Sequence, residues 1–430
     1  MYVKKFKRCF SYNKSNQREC TITAKHQISF IFELNYSSFG WYVMLELSFP
    51  RIIVIGEGSL EYLSRIRGKR ALIVTGSIIK KIGLVDKAAK YLEKNGIRVE
   101  AFEVEPEPSV ETIIKGAELA RKYSPNWIIG LGGGSNLDAA KAIWVLYERS
   151  DLELASITPS ITLGLRAKAQ LLCIPTTSGT GSEASWATII TDLKEKRKME
   201  LVNKELVPDI AIVDPELSMT MPQKLVAETG LDALTHAIEA YVSSLRNDFS
   251  DALAIYAIQI IFKYLLRSYK NPEDKEAKKK LHYAATMAGL SFSNSQLGMA
   301  HALGGAIGGV FRIPHGQAMA LLLPYSIEYN KIAARERYED IAKAANIKVT
   351  ANSDMVDELV KTLRELNHQL KEPASLKDIG ISSKHFEKNI DFLVDRAMRS
   401  AALQGNPRVL DTEGARKMFT YIYEGKKVDF

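Results

Sequence analysis

The sequence predicts an α/β region that ends near residue 221 and an all-helical region that follows it. Short apolar runs alternate with helical patterns from about Arg51, whereas long helical patterns replace the strand-like runs after Pro222. Alternating strands and helices imply parallel strands joined by right-handed crossovers. We therefore expect an α/β domain over 44–221, a helical domain over 222–430, and an extension over 1–43 that precedes both.

Each element of the predicted α/β region follows from a local pattern. The strands are short apolar runs, and the helices show apolar residues at helical spacing. Gly96 ends the first helix in the way that a helix-terminal glycine does. The predicted strands are 71–75, 98–104, 127–131, 171–174 and 210–213, and the predicted helices are 86–94, 110–123 and 137–147.

The helical region is predicted from apolar stripes. In one helix, six apolar residues fall on a single face, which is typical of a helix that packs on a core. These residues are Leu253, Ala257, Ile260, Ile261, Tyr264 and Leu265. The charged stretch 270–280 is interpreted as a solvated loop and the start of a helix, not as a binding patch.

The charge distribution argues against nucleic-acid binding. The formal net charge is +8, but residues 1–43 alone carry seven Lys/Arg and two Asp/Glu. The rest of the chain therefore lacks the excess of basic residues that a nucleic-acid-binding surface carries. No run of 18 or more apolar residues occurs, so we predict no membrane span.

Cysteine usage indicates a reducing compartment. Three cysteines without a CxxC pair support neither a disulfide framework nor a thiolate metal site. Residues 1–43 begin with basic residues but lack the apolar core and cleavage site of an export signal, so we expect a cytoplasmic protein. We interpret these residues as a flexible appendage or a misassigned start. An accessory strand or a partner-binding tail is the alternative.

Two loops rich in glycine or hydroxyl groups follow predicted strands. Residues 132–135 (GGGS) leave a strand and enter a helix, where backbone N–H groups can approach a pyrophosphate closely. Residues 175–183 (PTTSGTGSE) combine hydroxyl side chains with two glycines directly after another strand. Each loop alone is compatible with an ordinary turn, but two of them in one sheet favour a dinucleotide crevice.

One carboxylate and three histidines form a candidate metal site in the helical region. Asp232 and His236 are four residues apart in a helical pattern, which places both side chains on one face. His301 and His315 are separated by glycines and a proline, so they come from separate elements. This set suits Fe²⁺ or Zn²⁺ and leaves room for a substrate oxygen. Each histidine taken singly is compatible with a core or capping role.

Five ordered motifs resemble the iron-containing (group III) alcohol dehydrogenases. They are GGGSNLDAAKA, PTTSGTGSEAS, LVPDIAIVDPE, GLDALTHAIEAYVS and the pair LGMAHALGG and IPHG. The resemblance extends from about residue 47 to the C-terminus and covers nothing of residues 1–43. It implies a dehydroquinate-synthase-like fold of two domains, a nicotinamide in the cleft between them, and a homodimer or larger homo-oligomer.

The resemblance also implies roles for individual residues. The metal ligands of the family fall on Asp232, His236, His301 and His315. Its cofactor contacts fall on Gly133, Gly134, Ser135, Thr176, Thr177, Thr180 and Lys198, and a strand-end position near the ribose falls on Gly76. Asp138 matches a family carboxylate near the glycine loop and is a candidate both for cofactor contact and for catalysis.

Three positions depart from the family pattern. Many members carry a further histidine four residues after the ligand that matches His301, whereas this chain has Gly305, so a proton-relay role cannot be carried over. NAD-preferring members often have an acid where this chain has Gly76, and an acid there repels a 2′-phosphate. We therefore expect NADP(H) to be preferred, with NAD(H) as the alternative. Glu107, at a position where asparagine is common, argues in the opposite direction.

The expected reaction is hydride transfer between a small primary alcohol or diol and its aldehyde, with the metal polarising the substrate oxygen. Two other classes stay open at this point. One is a lyase or cyclase of the same fold, similar to dehydroquinate synthase, and the other is a non-catalytic cofactor-binding protein. Steady NAD(P)H turnover with a simple aldehyde would exclude both. The sequence does not identify the alcohol.

Overall fold

The computed structural model describes residues 45–430 except 195–196 and 351–352. The predicted extension 1–43 lies outside the described residues. By its internal contacts the chain divides into two units, Met1–Leu47 and Ser48–Phe430. All elements named below belong to the second unit.

A six-stranded parallel sheet forms the centre of the α/β region. The described residues contain eight strands, of which all but β6 and β7 belong to this sheet. In chain order they are β1 (Ile52–Ile55), β2 (Arg70–Gly76), β3 (Arg98–Val104), β4 (Trp127–Gly132), β5 (Gln170–Pro175), β6 (Ala187–Asp192), β7 (Arg197–Val202) and β8 (Ile210–Val213). The large sheet has the order β1-β8-β5-β4-β2-β3, and each pair of neighbours in it is parallel. The prediction of a parallel sheet is confirmed.

Helices cover both faces of this sheet. They are α1 (Ser77–Lys81), α2 (Leu84–Lys94), α3 (Val110–Tyr123) and α4 (Gly134–Glu148). Leu72 and Val74 of β2 pack with α3 and α4, whereas Ala71 and Ile73 pack with α2. Because successive side chains of a strand point to opposite faces, this alternation builds one core on each side.

The strands β6 and β7 form a separate antiparallel hairpin that the sequence analysis did not predict. Their register pairs Ala187 with Val202 and Asp192 with Arg197. The connecting residues 193–196 read LKEK and contain neither glycine nor proline, so the usual hairpin signal is missing.

The region after residue 221 is helical, as predicted. Its helices are α5 (Gln223–Val242), α6 (Asp248–Lys270), α7 (Lys275–Phe292), α8 (Met299–Phe311), α9 (His315–Ala344), α10 (Met355–Gln369), α11 (Ser383–Met398) and α12 (Thr412–Glu424). The predicted loop and helix start within 270–280 is also present, since the Asp274 side chain accepts from Ala277 N at the start of α7. The sheet region therefore ends, and the helical region begins, close to the predicted boundary.

The helix α6 is the one described helix that is long and apolar enough to cross a membrane. Five of its six predicted stripe residues are buried, and they belong to the core that α5 and α7 share with it. A helix packed inside a helical core meets the same length and composition test, and the packing of α6 accounts for its apolar character.

Candidate metal centre and nucleotide crevice

The glycine loop forms a bare helix N-terminus at the carboxyl end of β4. Gly132 has φ 147°, a conformation that favours glycine, and a Cβ at this position would overlap Asn136 Oδ1. Among the described residues, no side chain caps α4 at Gly133. The first N–H groups of this helix are therefore free to bind an anion.

The hydroxyl loop, residues 175–183, lies directly against the glycine loop. Thr176 N donates to Gly132 O at 2.9 Å, which continues the parallel pairing of β4 with β5. A Cβ on Gly133 would lie 3.4 Å from Thr177 Cγ2, and a Cβ on Gly134 would lie 2.6 Å from Thr180 Cγ2. The predicted cofactor residues of the two loops, with Ser135 beside them on α4, are thus brought together.

Two of the three remaining predicted cofactor residues, Gly76 and Lys198, lie on neighbouring elements. Gly76 ends β2, and a Cβ there would lie 3.1 Å from Asn136 Nδ2, so this position borders the glycine loop. Lys198 lies on β7, and its Nζ donates to Glu107 Oε1 at 3.0 Å in an ion pair that is largely exposed. This pair was not predicted, because the two residues are far apart in the sequence.

Asp138 connects the glycine loop, the hydroxyl loop and the hairpin. Its Oδ1 accepts from Ser182 Oγ at 2.7 Å and its Oδ2 accepts from Ile189 N at 3.0 Å. Burial raises the pKa of Asp138, although the nearby Lys141 ammonium opposes this shift. Both oxygens are engaged by protein groups, which favours a positioning role over the predicted catalytic one.

The four predicted metal ligands converge from three helices. Asp232 and His236 lie on α5, His301 lies on α8, and His315 is the first residue of α9. Asp232 Oδ1 lies 3.9 Å from His236 Nε2, 3.8 Å from His301 Nε2 and 3.3 Å from His315 Nε2. Metal–ligand bonds of about 2.1 Å place neighbouring ligand atoms roughly 3–3.5 Å apart, a range that the His315 distance meets and the other two slightly exceed. Asp232, His236 and His301 each offer a ligand atom within 4.8 Å of the other two, so these three can share one ion, with His315 adjoining them through Asp232.

The burial of these groups also fits a metal ion. Asp232, His236 and His301 are buried, whereas the side chain of His315 is 40% exposed. Asp232 Oδ1 and His301 Nε2 have no hydrogen-bond partner among the described residues. Buried polar atoms without partners are costly, and a cation between them would satisfy both.

Glu239 orients one of the imidazoles and was missed by the sequence analysis. His301 Nδ1 donates to Glu239 Oε2 at 2.6 Å, and Ala300 N donates to Glu239 Oε1 at 2.6 Å. The proton on Nδ1 leaves Nε2 directed at Asp232. Glu239 follows His236 by three residues on α5, so the shared helix face was a signal that could have identified it.

Electrostatic shifts in this cluster have identifiable causes. Burial lowers the pKa of His301, but the carboxylates of Glu239 and Asp232 outweigh it and raise the pKa to about 9. Burial lowers the pKa of His236 to about 3 despite the nearby Asp232. Burial favours protonation of Asp232, yet the surrounding imidazoles hold its pKa well below the usual value. The cluster thus contains a carboxylate ready to bind a cation.

The hydroxyl loop also packs against α5, which carries two of the predicted metal ligands, and against α7. A Cβ on Gly179 would lie 2.6 Å from Thr229 Cβ, one helical turn before Asp232 on α5. Gly181, with φ 60°, packs its backbone against Gly289 of α7. Because the backbones approach this closely, only glycine fits, and one loop contacts both the nucleotide-binding side and the metal-binding side.

Taken together, these two sides have the groups expected of a metal-dependent dehydrogenase that uses a dinucleotide cofactor. The chain belongs to the iron-containing alcohol dehydrogenase family, and it is an oxidoreductase of that class. The family described as iron-containing alcohol dehydrogenase matches residues 50–215. Its companion, the C-terminal part of the Fe-containing alcohol dehydrogenase family, matches residues 226–423.

Individual relatives agree with this assignment. An NADPH-dependent butanol dehydrogenase from Clostridium saccharobutylicum is 45% identical over 390 residues, which cover 90% of this chain and 100% of the relative. The iron-containing alcohol dehydrogenase of Thermococcus thioreducens has a similar structure, with a TM-score of 0.80, 33% identity, and coverage of 89% of this chain and 100% of that one. A 1,3-propanediol oxidoreductase gives a TM-score of 0.82 at 31% identity, with coverage of 88% and 100%.

These comparisons confirm the predicted fold class and the dehydrogenase function. They favour the dehydrogenase over the lyase and over the non-catalytic cofactor-binding protein, since relatives of this identity and coverage are alcohol dehydrogenases.

Proposed function

We propose that the chain interconverts small primary alcohols or diols and their aldehydes, with NADP(H) as the hydride carrier and Fe²⁺ at the metal site. The proposed ligands are Asp232, His236, His301 and His315, with Zn²⁺ as the alternative ion. The position of three imidazole Nε2 atoms within 3.9 Å of Asp232 Oδ1, beside the hydroxyl loop, is the observation that carries the proposal. Four nitrogen and oxygen ligands leave further positions open for a substrate oxygen.

The protein prepares the metal site by fixing its ligands. When bound, Fe²⁺ supplies Lewis acidity toward the substrate oxygen. Glu239 keeps the Nδ1 proton of His301 in place, so that Nε2 is the atom that faces Asp232. The imidazoles must bind in their neutral form, and metal affinity is therefore expected to fall as the pH falls.

The sheet side prepares the cofactor site with backbone groups. A bound nicotinamide supplies or accepts the hydride. The N–H groups of Gly134 and Ser135 at the start of α4 are suited to the pyrophosphate, and Thr176, Thr177 and Thr180 present hydroxyl groups beside them. Asp138 is proposed to hold the hydroxyl loop in position through Ser182.

NADP(H) is the preferred cofactor in this proposal. Gly76 at the end of β2 offers no carboxylate against a 2′-phosphate, and the butanol dehydrogenase relative is NADPH-dependent. The Lys198–Glu107 ion pair also supports the preference, because it neutralises the acid that argued against NADP(H).

A Gly76→Asp variant tests this preference. The new carboxylate is expected to lower the NADPH/NADH ratio of kcat/KM by about tenfold, since like charges in contact cost on the order of 1–2 kcal/mol near a surface. Steady-state kinetics with both cofactors measures the ratio. Gly309→Asp, at an exposed glycine without a positive φ where a Cβ would meet no atom within 4 Å, is the matched control, and an unchanged ratio in Gly76→Asp would refute the preference.

Further proposals concern the chain as a whole. We propose that 44–221 and 222–430 are separate domains, which is supported by the change from sheet to helices between Ser218 and Gln223. A cytoplasmic location and a homodimer or larger homo-oligomer follow from the cysteine usage and from the family resemblance.

The decisive experiment is anaerobic purification with metal analysis, followed by an aldehyde panel assayed with NADPH and NADH. One iron or zinc per chain and reduction of short aldehydes are expected. A metal-loaded protein that binds NADPH but reduces no aldehyde would contradict the proposed function.

A further inference from the structure

The carboxylate of Glu200 lies beside α8, outside the metal cluster. Positions 301 and 305 are four residues apart in α8, so they share one face of the helix. Gly305 is exposed and has no side chain, and a Cβ there would lie 3.9 Å from Glu200 Oε1. Glu200 comes from β7, and both β7 and the 3-10 turn Ala401–Gly405 pack against α8. Three separate segments therefore meet beside His301.

Glu200 has capacity for a further hydrogen bond. Ser400 Oγ donates to its two oxygens at 3.4 Å and 3.5 Å, which is long for a hydroxyl donor, and the backbone N–H of Ala401 also donates to this carboxylate. A carboxylate has about four acceptor sites, so others stay open. Desolvation by the surrounding protein raises the pKa of Glu200, and the imidazoles of His301 and His315 oppose this rise. The Glu200 carboxylate is thus close enough to the metal cluster to interact with the charges of its imidazoles. The residue is also exposed to solvent.

The position of Glu200 suits the far end of a short substrate. Four residues of helix span about 6 Å, so the carboxylate lies roughly one helical turn beyond His301. A carbon chain that runs along α8 from a reacting oxygen at the metal cluster would end beside this carboxylate. A second hydroxyl group at that end can donate to Glu200, whereas a methyl group offers the carboxylate no hydrogen bond in place of the water that it displaces.

We propose that Glu200, in the space that Gly305 leaves open, selects short diols and hydroxyaldehydes over plain alkanols. This inference rests on the proposed function and narrows its substrate class. Glu200 is a specificity-determining residue that accepts a hydrogen bond from the second hydroxyl group. Ser400 is a positioning residue, since it acts through its contact with Glu200.

The kinetic test uses the full, metal-loaded chain with 1,3-propanediol and 1-propanol. We expect the wild-type protein to favour the diol in kcat/KM. Glu200→Leu should lower the diol/alkanol ratio about tenfold, because one hydrogen bond is worth about 1.4 kcal/mol. Glu200→Gln should lower it by less, since the amide oxygen still accepts. Glu118→Gln, an exposed position on α3, is the matched control and should leave the ratio unchanged.

A binding readout separates selection from chemistry. Titration of the enzyme–NADPH complex with each alcohol, followed by cofactor fluorescence, gives dissociation constants without turnover, because both ligands are reduced. We expect tighter binding of the diol by the wild-type protein and loss of this difference in Glu200→Leu. Thermal unfolding of Glu200→Gln alongside Glu118→Gln checks that the substitution leaves the fold intact.

Two results would overturn the inference. An identical diol/alkanol ratio in the wild-type protein and Glu200→Leu would remove the selective role. An equal fall of kcat with both substrates, with no change in the dissociation constants, would make Glu200 a proton-transfer group instead. Absence of turnover with every alcohol would contradict the proposed function, and the titration would still decide the role of Glu200.

Discussion

The two sides of the crevice present different kinds of chemical group. On the sheet side, backbone groups and small side chains of two loops form the proposed nucleotide site, and glycine is required because Gly132 has a positive φ and Gly134 lies close to Thr180. On the helical side, three imidazoles from three helices surround the Asp232 carboxylate. The comparison teaches that the proposed nucleotide site depends on close backbone packing, whereas the proposed metal site depends on the placement of whole helices.

If the two sides act independently, removal of one metal-ligating side chain should abolish turnover and leave cofactor binding intact. His236→Ala is expected to lower kcat/KM about a thousandfold, because the lost metal contributes several kcal/mol to the transition state. Metal analysis should show loss of the ion, while NADPH binding changes by less than about threefold. His368→Ala on α10, which is exposed, is the control. Parallel losses of metal and cofactor binding would break the comparison.

A second prediction concerns the contact that joins the two sides. His282 of α7 is buried and its Nδ1 contacts Ser178 Oγ of the hydroxyl loop at 3.1 Å. Burial lowers the pKa of His282 to about 4 from the ordinary 6.5. A neutral histidine in the folded state contributes stability that is present above pH 6.5 and lost as the pH falls toward 4. The full loss corresponds to about 3 kcal/mol.

Urea unfolding of the wild-type protein and His282→Asn at a series of pH values measures this effect. Asparagine preserves a polar partner for Ser178 without a group that titrates in this range. The stability difference between the two proteins should shrink by about 3 kcal/mol from pH 7 to pH 4. Parallel stability curves would show that His282 does not couple the sides through its charge.

The smallest expected effect is on NADPH affinity and comes from a substitution on the sheet side. Gly134→Ala places a Cβ 2.6 Å from Thr180 Cγ2, so the hydroxyl loop must shift. Overpacking of this kind costs about 1–3 kcal/mol, and the Kd for NADPH should rise about tenfold. Metal content should stay at the wild-type level. The double variant with Thr180→Ser, which removes the contacting methyl group, should recover part of the affinity.

Much of this structure could be predicted from local patterns. The apolar runs that became β2 to β5 and β8 are bounded by clear turn signals, and the spacing of Asp232 and His236 already placed both on one helix face. The two loops carried their own signal, because glycines and hydroxyl groups after strands indicate phosphate binding. An element or site could thus be predicted wherever a single segment of the chain contains all of its residues.

The rest depends on contacts between distant segments. The β6–β7 hairpin lacks a turn signal, Lys198 meets Glu107 from another element, and Glu200 reaches Gly305 only because β7 packs on α8. One sequence does not reveal such pairings. The catalytic role expected of Asp138 stays a prediction, although its engagement by Ser182 and Ile189 favours positioning.

The uneven covering of the four proposed ligands has a consequence for iron exchange. Asp232, His236 and His301 are enclosed by protein, and His315 alone among them reaches solvent. We therefore expect an ion held by these residues to exchange past His315, and dissolved oxygen to reach it by the same route. The lifetime of an iron-loaded enzyme in air would then depend on how well a bound cofactor or substrate shields this one imidazole.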